Sequence, residues 1–262
     1  MAATYRILFL GDIVGKPGRI KVRAELPNLV NQFSPLFIVA NGENAAAGVG
    51  ITAEIASDFL NWGIDVITLG NHAFHKREIL PFFDKEPRLI RPANIPDGIP
   101  GSGITHVERD GIKLCVMNLC GRVFMDPYDD PFRAVERLMD QAESNHILID
   151  FHAETTSEKI AFSWHMNGRV TAVLGTHTHV PTADERILPG GTAAITDVGM
   201  CGPRDSVLGM DRDIILERFR TGLPQKFEVA DLPGVISGVV LDVEKDTGRA
   251  HRIERIHVGE GF

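Results

Sequence analysis

Five short apolar runs in this chain each end in residues able to bind a metal ion or carry a proton. "ILFLG" runs into Asp12, "FIVANG" into Glu43 and Asn44, and "VITLG" into Asn71 and His72. Further on, "ILIDF" ends at His152 and "TAVLGT" delivers His177 and His179. Runs this short, bounded by glycine and polar residues, read as buried strands. In open α/β sheets, the loops at the carboxyl ends of strands gather around one crevice. The pattern therefore constrains the fold: five strand ends must come together at one edge of a sheet system.

The segments between these runs supply the helices. "GRIKVRAELPNLVNQF" reads as a helix with Pro27 as its weak point, because an interior proline removes a backbone hydrogen bond. "TAEIASDFLNW" starts on a Thr52 cap and stops at Gly63. "KREILPFFD" reads as a short helix. "ITHVERDGIKLCVMNL" is a hairpin turning at Asp110-Gly111. "DPFRAVERLMDQAESN", "TSEKIAFSWHMNG" and the Asp211–Arg220 stretch read as further helices, and the tail after Gly234 as two antiparallel strands. The expected result is a mixed-sheet α/β domain, two facing sheets covered by helices, with residues 1–262 as a single domain.

Composition narrows the partners. The formal net charge is -8, and no run rich in Lys and Arg is present, so long nucleic acid is not an expected partner. The N-terminal apolar run is broken by Gly11 and Asp12, too short for a signal peptide or a membrane span of about 20 residues. Cys115, Cys120 and Cys201 form no C-x-x-C pair, which points to buried thiols and a cytoplasmic protein.

Singly, each strand-end residue has an ordinary explanation. Asp12 suits a turn, Asn71 a helix cap, and a lone histidine is usually just a satisfied polar group. Together they match the carboxylate, amide and imidazole donors that first-row metals take, and they outnumber the needs of one ion. Two ions bridged by a carboxylate would use them all. If "GTHTHV" is extended, His177 and His179 point the same way and face one crevice.

The motifs "GD" at 11–12, "NGEN" at 41–44, "GNH" at 70–72, "DFHAETTSEK" at 150–159 and "GTHTH" at 175–179 resemble the calcineurin-like metallophosphoesterases. "ILFLGDIVGKPGR", "NLCGR" and "TDVGMCGP" are similar to the YmdB-like branch in particular. The likeness spans essentially the whole chain. The resemblance implies a metallophosphoesterase-type two-sheet αββα sandwich with a dinuclear metal site at the carboxyl ends of its strands. Asp12, Glu43, Asn44 and His179 would hold one ion, and Glu43, Asn71, His152 and His177 the other. The ions implied are iron, with manganese as the alternative, and His72 would give a proton to the leaving group. The implied reaction is hydrolysis of a small phosphodiester such as a 2′,3′-cyclic nucleotide, by a homo-oligomer. Arg122 in "NLCGRVF" is a candidate phosphate or ribose contact, since guanidinium matches phosphate oxygens.

The sequence departs from the broad superfamily at three points. Val14 stands where a first histidine is usual, Glu43 where a bridging aspartate is usual, and Ala73 where a carboxylate would orient the motif histidine. The YmdB-like branch shares the first two changes and fills the vacancy with the amide at Asn44. The third leaves the orientation of His72 to be explained. Two other readings stand beside the phosphodiesterase: a regulatory interaction protein using the metal site as a staple, and a protein phosphatase or phosphomonoesterase.

Overall fold

A computed structural model describes residues 3–96 and 98–259. Two sheets face each other, with helices on both outer sides. The seven-stranded sheet follows the order β2 (Asp12–Ile13), β11 (Met200–Pro203), β12 (Gly234–Glu244), β1 (Thr4–Leu10), β3 (Phe37–Asn41), β4 (Val66–Thr68), with β13 (Ala250–Val258) also paired to β12. The six-stranded sheet follows β5 (Ile104–Arg109), β6 (Ile112–Cys120), β7 (His146–His152), β8 (Ala172–Thr176), β10 (Ala193–Ile195), β9 (Arg186–Ile187). The β1–β3, β3–β4, β6–β7 and β7–β8 pairs are all parallel, so their carboxyl ends share an edge within each sheet.

Alternation along the strands builds three apolar layers. Ile7 and Phe9 of β1 face the second sheet, where they meet Leu114, Val116, Leu148 and Leu174. Leu8 and Leu10 point the other way and pack with Val22, Leu26 and Leu29 of helix α1 (Gly15–Phe33) and Phe59 of α2 (Ala53–Asn61), beside the short α3 (Leu80–Phe83). On the far side of the second sheet, Met117, Ile149 and Phe151 pack with Val135 of α4 (Pro131–Met139) and Phe162 of α5 (Thr156–His165). The final helix, α6 (Arg212–Thr221), contributes only Ile215 as a buried residue.

Most local expectations hold. Thr52 caps α2 by accepting from the Ile55 N–H. Asp110 and Gly111 both take positive φ, 49° and 76°, as a tight hairpin requires. Two details differ. Helix α1 runs unbroken through Pro27, whose position faces solvent, so water can satisfy the carbonyl it leaves free. Helix α4 stops at Met139 instead of reaching Asn145, since of the polar run after it only Ala142 is buried. Among the described residues, no helix is long and apolar enough to cross a membrane.

Candidate metal centre

The carboxyl ends of β1, β3 and β4 from one sheet meet those of β7 and β8 from the other. Asp12 is fully buried. Its Oδ2 accepts from the His177 N–H at 3.2 Å. Its Oδ1 has no hydrogen-bond partner and lies 4.0 Å from His179 Nε2. Burial pushes this carboxyl up to about 6, against the pull of His179 and His152. Asn44 repeats the pattern: its Nδ2 donates to the Gly48 carbonyl at 2.9 Å, and its buried Oδ1 has no partner. Buried polar atoms are nearly always satisfied, so two orphaned oxygens, one of them 4.0 Å from an imidazole nitrogen, need an explanation.

Glu43 stands between this group and a second one. Its Oε2 accepts from the His72 N–H at 3.0 Å, and its Oε1 lies 3.0 Å from His152 Nε2. That same ring nitrogen is 3.0 Å from Asn71 Oδ1 and 3.0 Å from His177 Nδ1. Ligand atoms of Glu43, His152 and His177 all fall within 4.8 Å of one another. Burial opposes ionisation of Glu43, yet the neighbouring His152 and His72 hold it down to about 2. Burial likewise disfavours a charged His152, and Glu43, Asp12 and Asp150 overcome it, raising the ring to about 9. The approach is so close at Gly70 that a methyl group there would overlap Glu43 Oε2 and the His152 ring.

Each imidazole has its outer nitrogen engaged. Thr176 gives its hydroxyl hydrogen to Asp150 at 2.7 Å, so its oxygen accepts from His152 Nδ1 at 2.8 Å. In its neutral form His152 is thereby the tautomer with its proton on Nδ1 and its lone pair on Nε2, beside Glu43 and Asn71. Asp150 is itself held by Asn41 and Thr68. His177 Nε2 lies 3.1 Å from Glu154, leaving Nδ1 toward His152. His179 Nδ1 donates to the Leu208 carbonyl at 2.9 Å, leaving Nε2 toward Asp12. Three rings with lone pairs turned inward, two carboxylates and two amide oxygens form a donor set suited to divalent or trivalent first-row ions.

The model of the YmdB-like protein family matches residues 8–256. The chain belongs to the YmdB-like family. A 2′,3′-cyclic-nucleotide 2′-phosphodiesterase of Bacillus subtilis is 52% identical over 97% of this chain and 97% of its own length. A crystal structure from Thermus thermophilus superposes with a TM-score of 0.90 at 40% identity, covering 97% of this chain and 98% of the other. A phosphatase from Mycoplasma pneumoniae superposes with a TM-score of 0.93 at 34% identity, covering 98% and 94%.

In this YmdB-like chain, "GTHTHV" is not extended. His177 and His179 take φ values of 99° and 66°, in the left-handed region. Both rings still line one cleft, but through two left-handed residues and not through strand alternation. Such residues cost about 1–3 kcal/mol each and persist only where the surroundings fix them. Asp197 does so: its Oδ2 accepts from the Thr178 N–H at 3.0 Å and the Thr178 hydroxyl at 2.7 Å. Lys159, itself buried, completes the clamp from α5 at 2.9 Å.

His72 lines the same cleft, and burial lowers its pKa. Its orientation has an answer that does not involve residue 73. Asn71 Nδ2 lies 3.5 Å from His72 Nδ1, and the His75 ring meets it edge-on at 4.6 Å. Ala73 points into the helix-side core, where a carboxylate would be buried among apolar groups. Arg122 is engaged elsewhere. Its guanidinium lies 3.4 Å from Asp130, the cap of α4, and it is not among the cleft-lining residues.

Sequence reasoning passed over the groups behind the ligands: Asp150, Glu154, Lys159, Thr176 and Asp197. Asp150 carried a signal, a charge inside an apolar strand that is buried throughout. Glu154 and Asp197 sat unassigned inside quoted motifs.

Proposed function

We propose that this chain, a phosphoric diester hydrolase, cleaves small phosphodiesters and acts on 2′,3′-cyclic nucleotides with two transition-metal ions, iron or else manganese. The reading rests on one observation above all: the buried Oδ1 atoms of Asp12 and Asn44 have no hydrogen-bond partner, and the Asp12 oxygen lies 4.0 Å from a His179 nitrogen free to bind. A cation satisfies both. Asp12, Asn44 and His179 would hold one ion, Asn71, His152 and His177 the other, with Glu43 shared. Two ions bound there supply Lewis-acid charge to the phosphate and activate water.

The chain's own residues do the rest. Asp150, through Thr176, keeps the proton of His152 on Nδ1 and its lone pair on the reacting side. Glu154 and the Leu208 carbonyl hold His177 and His179 in the same sense. Asn71 Nδ2, 3.5 Å from Nδ1, orients the His72 ring, and the imidazolium form would give an Nε2 proton to a leaving alkoxide and be left neutral. Burial lowers the pKa of His72, which makes the imidazolium the stronger acid and reduces its share at neutral pH. The same reading makes the protein a cytoplasmic homo-oligomer.

Hydrolysis of 2′,3′-cyclic AMP by the purified, metal-loaded protein is the test. We expect Glu43→Gln to abolish turnover and His72→Ala to lower kcat by about 10²–10⁴-fold. Unchanged turnover in both variants contradicts the reading. So does a wild-type protein that binds metal but cleaves no cyclic nucleotide, which would favour the interaction-protein alternative.

A further inference from the structure

The cleft that holds the metal-type donors has a second, chemically different wall. Its volume is about 700 Å³. Its lining combines two chemical classes: Glu43, Asn44, His72, His177 and His179, and beside them Leu208, Met210, Phe219 and Phe227 together with Arg218. The two classes are physically joined, since Leu208 supplies the carbonyl that receives the His179 proton.

The apolar part is unusual for a surface. Phe219 is 82% exposed and Leu208 47% exposed. Arg218 lies over the Phe227 ring, its Cζ 4.6 Å from the centroid, and both line the cleft. Aromatic rings and guanidinium planes are the surfaces on which nucleobases stack, without demanding a particular base. A ligand that fits both classes has an anionic phosphate for one and a flat π-system for the other. A cyclic nucleotide has that division of character; a simple alkyl phosphodiester does not.

We infer that the wall formed by Arg218, Phe219 and Phe227 is the base-binding subsite of this enzyme. The inference rests on the phosphodiesterase reading and adds which residues recognise the nucleoside. It also makes the subsite indifferent to base identity, because stacking supplies the contact.

The experiment compares two substrates across variants that leave the metal-type donors intact. The substrates are 2′,3′-cyclic AMP and glycerol 1,2-cyclic phosphate, which carries the same cyclic diester without a base. We expect Phe219→Ala and Phe227→Ala each to lower kcat/KM for the nucleotide by about tenfold, through KM, and to change the glycerol substrate less than twofold. Phe227→Trp, which keeps an aromatic face, should retain the nucleotide preference that Phe227→Ala loses. An equal fall for both substrates, or no change in either, overturns the subsite while leaving the phosphodiesterase intact. Wild-type protein that cleaves neither substrate overturns both readings. Sedimentation of the same variants supplies the remaining outcome. A change in oligomeric state with an unchanged substrate ratio means that a second copy of the chain covers this face, and it also overturns the inference.

Discussion

The two walls of the cleft are built on different physical terms. The inner wall is backed by Asp12, Glu43, Asp150 and His152, all buried, whose polar atoms other than Asp12 Oδ1 are held by fixed partners. The outer wall, from α6 and the segment after it, exposes Phe219 and Phe227 and carries one cation over one ring. Chemistry on a phosphate needs groups held to fractions of an ångström, which buried hydrogen-bond networks provide. Recognition by stacking tolerates looser geometry and can sit at the surface. The difference teaches where mutations should damage the fold and the chemistry and where they should damage only selectivity.

The comparison breaks first at the clamp behind the inner wall. Lys159→Met leaves Asp197 buried without its counter-charge, which costs roughly 3–5 kcal/mol when one partner of such a pair is removed. Thermal unfolding should fall by on the order of 10 °C. A melting temperature within a degree of wild type would mean that the clamp contributes little to the left-handed loop.

Thr176→Val is the next largest effect. It removes the hydroxyl between Asp150 and His152, so the ring is no longer held as one tautomer. Losses of about 10–100-fold in metal affinity or activity are typical of such outer-shell changes. Titration of metal-depleted protein with manganese reads this directly, and an unchanged affinity would show that His152 is oriented by packing alone.

Phe219→Ala sharpens the comparison from the other side. An exposed residue away from packed features should alter stability by no more than about 0.5 kcal/mol, seen as an unchanged denaturation midpoint. A large loss of stability there would place α6 in a packed interface and remove the distinction between the walls.

Much of this was legible in the sequence because strands announce themselves. The apolar runs "ILFLG" and "ILIDF" marked the buried strands, and polar residues at their ends marked the cluster. The short strands β2, β9, β10 and β11 were not legible, since two to four residues carry no readable period. Lys159 and Asp197 meet across 38 positions, a pairing that only the folded chain creates. The backbone of "GTHTHV" was misread for a related reason. Its left-handed residues are imposed by Asp197 from a distant loop, not by local preference.

The central claim is that two ions share Glu43 between the two donor groups. Anomalous diffraction from crystals of protein purified without added metal tests it most directly. Two peaks are expected, one beside Asp12, Asn44 and His179 and one beside Asn71, His152 and His177. A single peak bound by both His177 and His179, or no peak at either group, would contradict it.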